Sequence, residues 1–269
     1  MDTPQSVSPS GAVLRDDAPT VCAISILAIM LSTMLHEGVG HAALAIATLH
    51  ISGTLTSLAW SGIRDSRLVL AGGTLVNLAS GLVFWILLRI TQARPTLRFF
   101  LLLSMAFNLL TATGYFLFSG VADFGDWAGF IEGLHPYWLW RVGLVLLGIL
   151  TYYGSIRLIG GSLVRSMGVS LNDLARYRGL TLVPYLAAIA IDTVAGLLNP
   201  FGIQYVLLSA VASTAGGLSG MVWMYRYIPR CIPPGPAQIV PRSYLWIVVA
   251  SVLGLVFIVV FGPGVHLPR

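Results

Sequence analysis

The scarcity of charge is the feature that most limits how this chain can fold. Only 9% of its 269 residues are Asp, Glu, Lys or Arg, whereas a soluble domain carries about 25%. Uncharged apolar runs recur along the chain, and a helical run of about 20 residues crosses the hydrocarbon core of a bilayer. Lipid offers no partners to backbone N–H and C=O groups, so such runs form helices. The sequence therefore predicts an all-α, polytopic transmembrane helix bundle.

The apolar runs predict about seven spans. They cover Val21–Leu49, Leu68–Ile90, Leu97–Phe118, Tyr137–Ile159, Leu180–Leu198, Ile203–Tyr225 and Tyr244–Phe261. Residues 1–20 precede the first run and are polar, which predicts a disordered N-terminal tail. One membrane domain then makes up the rest of the chain.

The basic residues, all of them arginine, predict the orientation. They concentrate in alternate connections, which contain Arg89, Arg94 and Arg98, then Arg157, Arg165, Arg176 and Arg178, then Arg226, Arg230 and Arg242. Positively charged connections stay in the cytoplasm. We therefore expect a cytoplasmic N-terminus in a bacterial inner (plasma) membrane. The net charge of +5 reflects this topology, so the expected partner is the lipid bilayer and no nucleic acid.

The segment His36-Glu37-Gly38-Val39-Gly40-His41 places ionisable groups within the first predicted span. Such groups are costly at bilayer depth and commonly mark a functional site. Two imidazoles and a carboxylate are suitable ligands for a metal ion, with zinc as the prime candidate. The alternative is a hydrogen-bonded polar patch between helices.

The spacing of the two histidines differs from that of the familiar zinc helix. His-Glu-x-x-His places its histidines four residues apart on one face, whereas His36 and His41 are five apart. In a regular helix the two side chains would diverge by about 140°. A π-bulge would realign them, and Gly38 and Gly40 make that distortion easier. In the alternative, the helix is regular, Glu37 and His41 are the ligands, and His36 faces elsewhere. We favour the π-bulge.

Catalytic zinc needs a third protein ligand and an open position for water. The candidates are Asp123, Asp126, His135 and Asp192. In the predicted topology Asp126 follows the third span on the outer side, near the end of the first span that carries His36 and His41. Asp192, within the fifth span, is its rival.

Three segments together resemble the site-2 protease family of intramembrane zinc metalloproteases. The first is His36–His41, similar to that family's His-Glu-x-x-His helix with one residue added. The second is Gly73-Thr74-Leu75-Val76-Asn77, similar to its Gly-Pro-x-x-Asn stretch with Thr74 in place of Pro. The third is Phe124-Gly125-Asp126-Trp127, standing where the family has Leu-Asp-Gly.

The resemblance implies a metalloprotease-like three-helix core in residues 21–130 and accessory transmembrane helices in residues 131–269. It also implies Zn²⁺ held by His36, His41 and Asp126. Glu37 would act as the general base, and Asn77 would hold the substrate backbone or the oxyanion. The expected substrate is a transmembrane or membrane-proximal peptide.

Two other functions remain open. An ion- or proton-coupled transporter could use the polar cluster of His36, Glu37, His41 and Asp192. A non-catalytic membrane scaffold could retain the metal alone. The adjacency of Glu37 and His36 favours the hydrolase, because a zinc hydrolase places its general base there.

Overall fold

The computed structural model describes residues 15–92, 94–200, 202–203, 207 and 214–268. The elements follow in the order α1 (Ala18–Leu49), β1 (Gly53–Leu55), β2 (Trp60–Gly62), α2 (Arg67–Ile90), α3 (Pro95–Ala122), α4 (Asp126–Ile131), α5 (Tyr137–Met167), α6 (Leu174–Gly196), α7 (Gly220–Trp223, with a 3₁₀ turn Met224–Tyr227), α8 (Tyr244–Phe261) and β3 (Val265–Leu267).

Within the described ranges, 6 helices are long and apolar enough to cross a membrane: α1, α2, α3, α5, α6 and α8. They confirm the predicted all-α bundle and identify an integral membrane protein. Each corresponds to a predicted span. The remaining predicted span, Ile203–Tyr225, lies partly outside the described residues, and its described end contains α7 and the start of the 3₁₀ turn.

Polar caps and proline set where several helices begin. The Asp17 side chain accepts the Thr20 amide at the start of α1, and the Ser66 side chain accepts the Val69 amide at the start of α2. These caps satisfy amides that have no partner within the helix. Pro95, which lacks that amide, opens α3.

Helix α3 is the centre of the bundle. It packs against α1, α2 and α5, and it is the most buried of the long helices. Phe99, Leu103, Phe107 and Leu110 are fully buried along it. Such packing holds the helices around α3 in fixed positions.

A small antiparallel sheet, which the sequence did not predict, follows the end of α1. Strand β1 lies between β2 and β3, pairing Gly53 with Gly62 on one side and with Leu267 on the other. The pairing therefore joins the chain beyond α8 to the chain beyond α1. Strands of three residues carry too little periodicity to be distinguished from a loop in the sequence.

Polar contacts define the two ends of the bundle. At one end, Asp16 accepts a hydrogen bond from Arg176 at 2.8 Å and another from the Val240 amide at 2.8 Å. At the other, Asn199 donates to the Thr56 hydroxyl at 3.0 Å. Helices α1, α6 and α8 therefore run in the same direction, as the predicted alternation of connections requires.

Candidate metal centre

Residues Met34–Ala43 form a π-helix in the middle of α1. The wider turn brings His36 and His41 to one face, with ring centroids 4.8 Å apart. The predicted distortion is therefore present. The regular-helix alternative, with His36 directed away from His41, is wrong.

Asp126 completes the group from the start of α4. Its Oδ2 atom lies 3.1 Å from His36 Nε2 and 3.2 Å from His41 Nε2. The preceding Gly125 has φ +86°, a left-handed conformation that glycine adopts without steric cost. That turn directs the chain from α3 back towards the histidines.

The other candidates for the third ligand, Asp123, His135 and Asp192, are not part of this group. The Asp123 carboxylate accepts hydrogen bonds from Tyr137 at 2.5 Å and from Arg141 at 3.2 Å. Asp192, on α6, accepts one from the Thr214 hydroxyl at 3.0 Å. Among the described residues, only His36, His41 and Asp126 form a group that could hold a metal ion.

Glycines allow α2 to pass directly beneath the two rings. A Cβ atom added at Gly73 would overlap the Nε2 atoms of both His41 and His36. A Cβ added at Gly40 would overlap the backbone of Gly73. The α2 backbone at Gly73 therefore lies directly against the two imidazole rings. The only sign of this contact in the sequence is the Gly72-Gly73 pair.

A backbone carbonyl fixes the orientation of His41. Its Nδ1 atom lies 2.7 Å from the Val69 oxygen, so Nδ1 carries a proton and donates it. The ring's Nε2 then faces the Asp126 carboxylate either with a second proton or with a lone pair. A lone pair and a carboxylate oxygen at 3.2 Å repel unless a cation lies between them. A backbone carbonyl that accepts the other ring N–H is typical of histidines that bind a metal.

Two of the three separations between donor atoms fit a small divalent ion. Metal–ligand distances of about 2.0–2.1 Å in a tetrahedral site imply ligand–ligand separations near 3.3 Å. The two Nε2–Oδ2 distances of 3.1 and 3.2 Å are close to that value. Burial alone would raise the pKa of Asp126, but the charges and hydrogen bonds of His41 and His36 outweigh it and hold that pKa below its usual range. The carboxylate therefore stays ionised and available to a cation.

Glu37 lies beside the group and is held by the sheet. Its Oε2 atom accepts the Trp60 amide of β2 at 2.9 Å. Glu37 and His36 line a cavity of about 50 Å³, together with Ser32, Ser57 and Asp192. That volume accommodates one or two water molecules with polar neighbours.

Asn77, predicted to face the same cavity, is fully buried on α2. Its amide donates to the Ser32 hydroxyl at 3.2 Å, and Ser32 lines the cavity. The Asn77 Oδ1 atom finds no hydrogen-bond partner in the described part of the chain. The contact with the cavity is therefore made through Ser32.

Two tryptophans position the site, and neither role is visible in the sequence. The Trp127 indole donates to the Thr74 hydroxyl at 2.9 Å and so ties α4 to α2 next to Asp126. Trp60 supplies the amide that holds Glu37. These roles depend on tertiary contacts that no local pattern encodes.

Comparisons of the chain with models of protein families, with curated proteins and with solved structures find no match. The fold and the site together define a helical membrane protein with a buried candidate metal centre.

Proposed function

We propose that this protein is a membrane-embedded zinc hydrolase of the metallopeptidase type. One observation carries the proposal. A π-helix presents two imidazoles to the Asp126 carboxylate at 3.1 and 3.2 Å, and the neighbouring Glu37 lines a small polar cavity with one of them. The resemblance of these residues to the site-2 protease family supports the same assignment.

Zinc is the metal that this donor set favours. Two imidazole nitrogens and one carboxylate oxygen, without thiolate, form a common catalytic zinc set that leaves a position for water. When bound there, Zn²⁺ would supply a Lewis acid that lowers the pKa of water to about 7. His36, His41 and Asp126 would hold the ion.

Glu37 has the position of a general base. The Trp60 amide holds Oε2 at 2.9 Å, and Glu37 lines the cavity. Oε1 can therefore take a proton from a water in the cavity and later pass it to the leaving amine. Because the site lies among membrane-spanning helices, a peptide within the bilayer or near its surface is the substrate class that we propose.

Asn77 has a positioning role in this proposal. Its hydrogen bond to Ser32 holds a hydroxyl in the wall of the cavity, next to Glu37 in space. Direct contact between Asn77 and a substrate would require Ser32 to move. The predicted contact with the oxyanion therefore stays a prediction.

Glu37→Gln tests the proposal. We expect the variant to keep its zinc and to lose cleavage of membrane peptides by about a hundredfold or more, because the general base is gone. The measurements are zinc per chain and hydrolysis of a quenched-fluorescent library of single-span peptides in proteoliposomes. Glu132→Gln, an exposed carboxylate, is the matched control. Full activity in Glu37→Gln would contradict the assigned role.

A transporter is the second candidate, and Asp192 is the observation that favours it. This carboxylate is 3% exposed, shares the cavity with His36 and Glu37, and has an Oδ1 atom without a partner among the described residues. In a transporter, Glu37→Gln would alter ion flux into proteoliposomes, with no cleavage to lose. Zinc binding without cleavage or flux would instead indicate a scaffold.

A further inference from the structure

A second cavity, of about 320 Å³, lies far from the metal centre. It is enclosed by the end of α2, the start of α3 and the second half of α5. Arg89, in its wall, follows Gly73 by sixteen residues on α2, which places it about 24 Å along that helix from the metal centre. Its volume falls in the usual range for small-molecule sites, about 300–1,000 Å³.

Four arginines line this cavity: Arg89, Arg98, Arg157 and Arg165. No carboxylate of the described chain lines it with them, and none of the four forms an ion pair there. Arg89, Arg157 and Arg165 are exposed and Arg98 is half-buried, so water and salt weaken the repulsion between the four like charges without abolishing it. A bound anion would offset that repulsion.

Two polar atoms in the cavity wall are buried without a protein partner. Ser166 is 6% exposed, and its hydroxyl has no hydrogen-bond partner among the described residues. The Arg98 Nε atom is likewise buried and unpartnered, while Arg98 Nη1 donates to the Thr91 oxygen at 2.8 Å. Buried donors of this kind normally have acceptors. Both belong to side chains that line the cavity.

Two of the outer arginines, Arg89 and Arg157, contact aromatic residues. The Arg89 guanidinium lies 5.2 Å from the Trp85 ring centroid, and Arg157 donates to the Tyr153 hydroxyl at 2.9 Å. These contacts orient the guanidinium groups and leave most of their N–H donors available. Guanidinium forks match the oxygens of phosphate.

The positive-inside rule accounts for arginines at this end of the bundle. It does not account for four of them converging on one cavity with a buried, unpartnered serine hydroxyl. We propose that the cavity binds the phosphate group of an anionic molecule, with Arg98 and Ser166 at its base and Arg89, Arg157 and Arg165 around it. Basic pockets between transmembrane helices bind lipid headgroups in this way. A phospholipid and a free phosphate share this chemistry.

The test uses the full chain purified in mild detergent. Native mass spectrometry counts the phosphatidylglycerol and phosphatidylcholine retained per chain, and a thermal-unfolding titration with inorganic phosphate at constant ionic strength measures the free anion. We expect one retained phosphatidylglycerol, little phosphatidylcholine, and about tenfold weaker binding in Arg157→Gln, because a charge-assisted hydrogen bond is lost. Ser166→Ala should weaken binding several-fold.

Arg178→Gln is the matched control, because it removes an exposed arginine at the same end of the bundle and outside the cavity. Binding of phosphatidylglycerol without phosphate identifies a lipid site, and binding of phosphate without the lipid identifies a free-anion site. Three results would overturn the proposal. They are binding of neither phosphatidylglycerol nor phosphate, equal retention of both lipids without phosphate binding, and cavity variants that bind like Arg178→Gln. Stripping zinc with a chelator should leave this binding unchanged, so the result is independent of the proposed hydrolase.

Discussion

The two imidazoles of the candidate metal centre depend on neighbours that carry no functional side chain. The Val69 carbonyl orients His41, and the bare backbone at Gly73 makes room for the Nε2 atoms of both rings. The two histidines and Glu37 could be predicted as site residues from the sequence, because ionisable residues in an apolar span are conspicuous. The role of the Val69 carbonyl could not be predicted, and neither the Gly-Gly pair nor the segment Gly73–Asn77 by itself indicated that the Gly73 backbone lies against the two rings.

Gly73→Ala should reduce metal binding without unfolding the protein. The added methyl group would overlap both Nε2 atoms and push the rings apart. We expect zinc affinity to fall by about tenfold to a hundredfold, with a cost of about 1–3 kcal/mol in the free energy of unfolding. Zinc titration and thermal unfolding measure the two effects. Gly154→Ala, with open space around its Cβ, is the control. Equal zinc affinity in both variants would contradict the claim that the bare backbone at Gly73 makes room for the two rings.

Asp126→Asn should lose the metal, whereas Asp123→Asn should keep it. Asp126 faces both imidazoles, but Asp123 faces Tyr137 and Arg141 at the surface. We expect zinc affinity to fall by more than about a hundredfold in Asp126→Asn. That loss is larger than the loss caused by changing a residue that only contacts a ligand. Metal analysis of the purified variants decides it. Loss of zinc from Asp123→Asn, with zinc retained in Asp126→Asn, would show that Asp123 and not Asp126 is the ligand.

At the scale of elements, the π-helix places His36 and His41, which are five residues apart, on the same face of α1. A π-bulge amounts to one residue inserted into an α-helix. Val39 lies in that stretch and is 51% exposed, so its removal deletes no buried side chain. The π-helix could be predicted because the spacing was incompatible with a regular helix. The three short strands could not, because their pairing is set by tertiary contacts.

Deleting Val39 should therefore yield a regular helix that still binds zinc. The remaining His-Glu-Gly-Gly-His spacing aligns both rings at i and i+4. We expect zinc affinity within about tenfold of the wild type, since an engineered α-helical turn restores the geometry only approximately. Inserting one alanine after Val39 is the control and should abolish binding. Metal analysis of both variants is the measurement, and zinc loss on deletion would show that the π-helix does more than align the rings.

At the scale of the whole molecule, the two ends of the bundle have different chemistry. One end contains the acidic and imidazole groups of the metal centre, and the other contains the arginine-lined cavity. Composition and hydropathy were enough to predict the bundle and the spans that became α1, α2, α3, α5, α6 and α8. They could not predict that four separate arginines meet around one cavity, because that depends on how α2, α3 and α5 pack.

The account depends most on a metal held by two imidazoles and one carboxylate, and X-ray absorption at the zinc edge observes that shell directly. For the zinc-loaded full chain we predict two imidazole nitrogens and oxygen ligands, all at about 2.0–2.1 Å. Three results would contradict this ligand set: a sulfur ligand from Cys22 or Cys231 at about 2.3 Å from the zinc, fewer than two imidazole ligands, or no retained zinc.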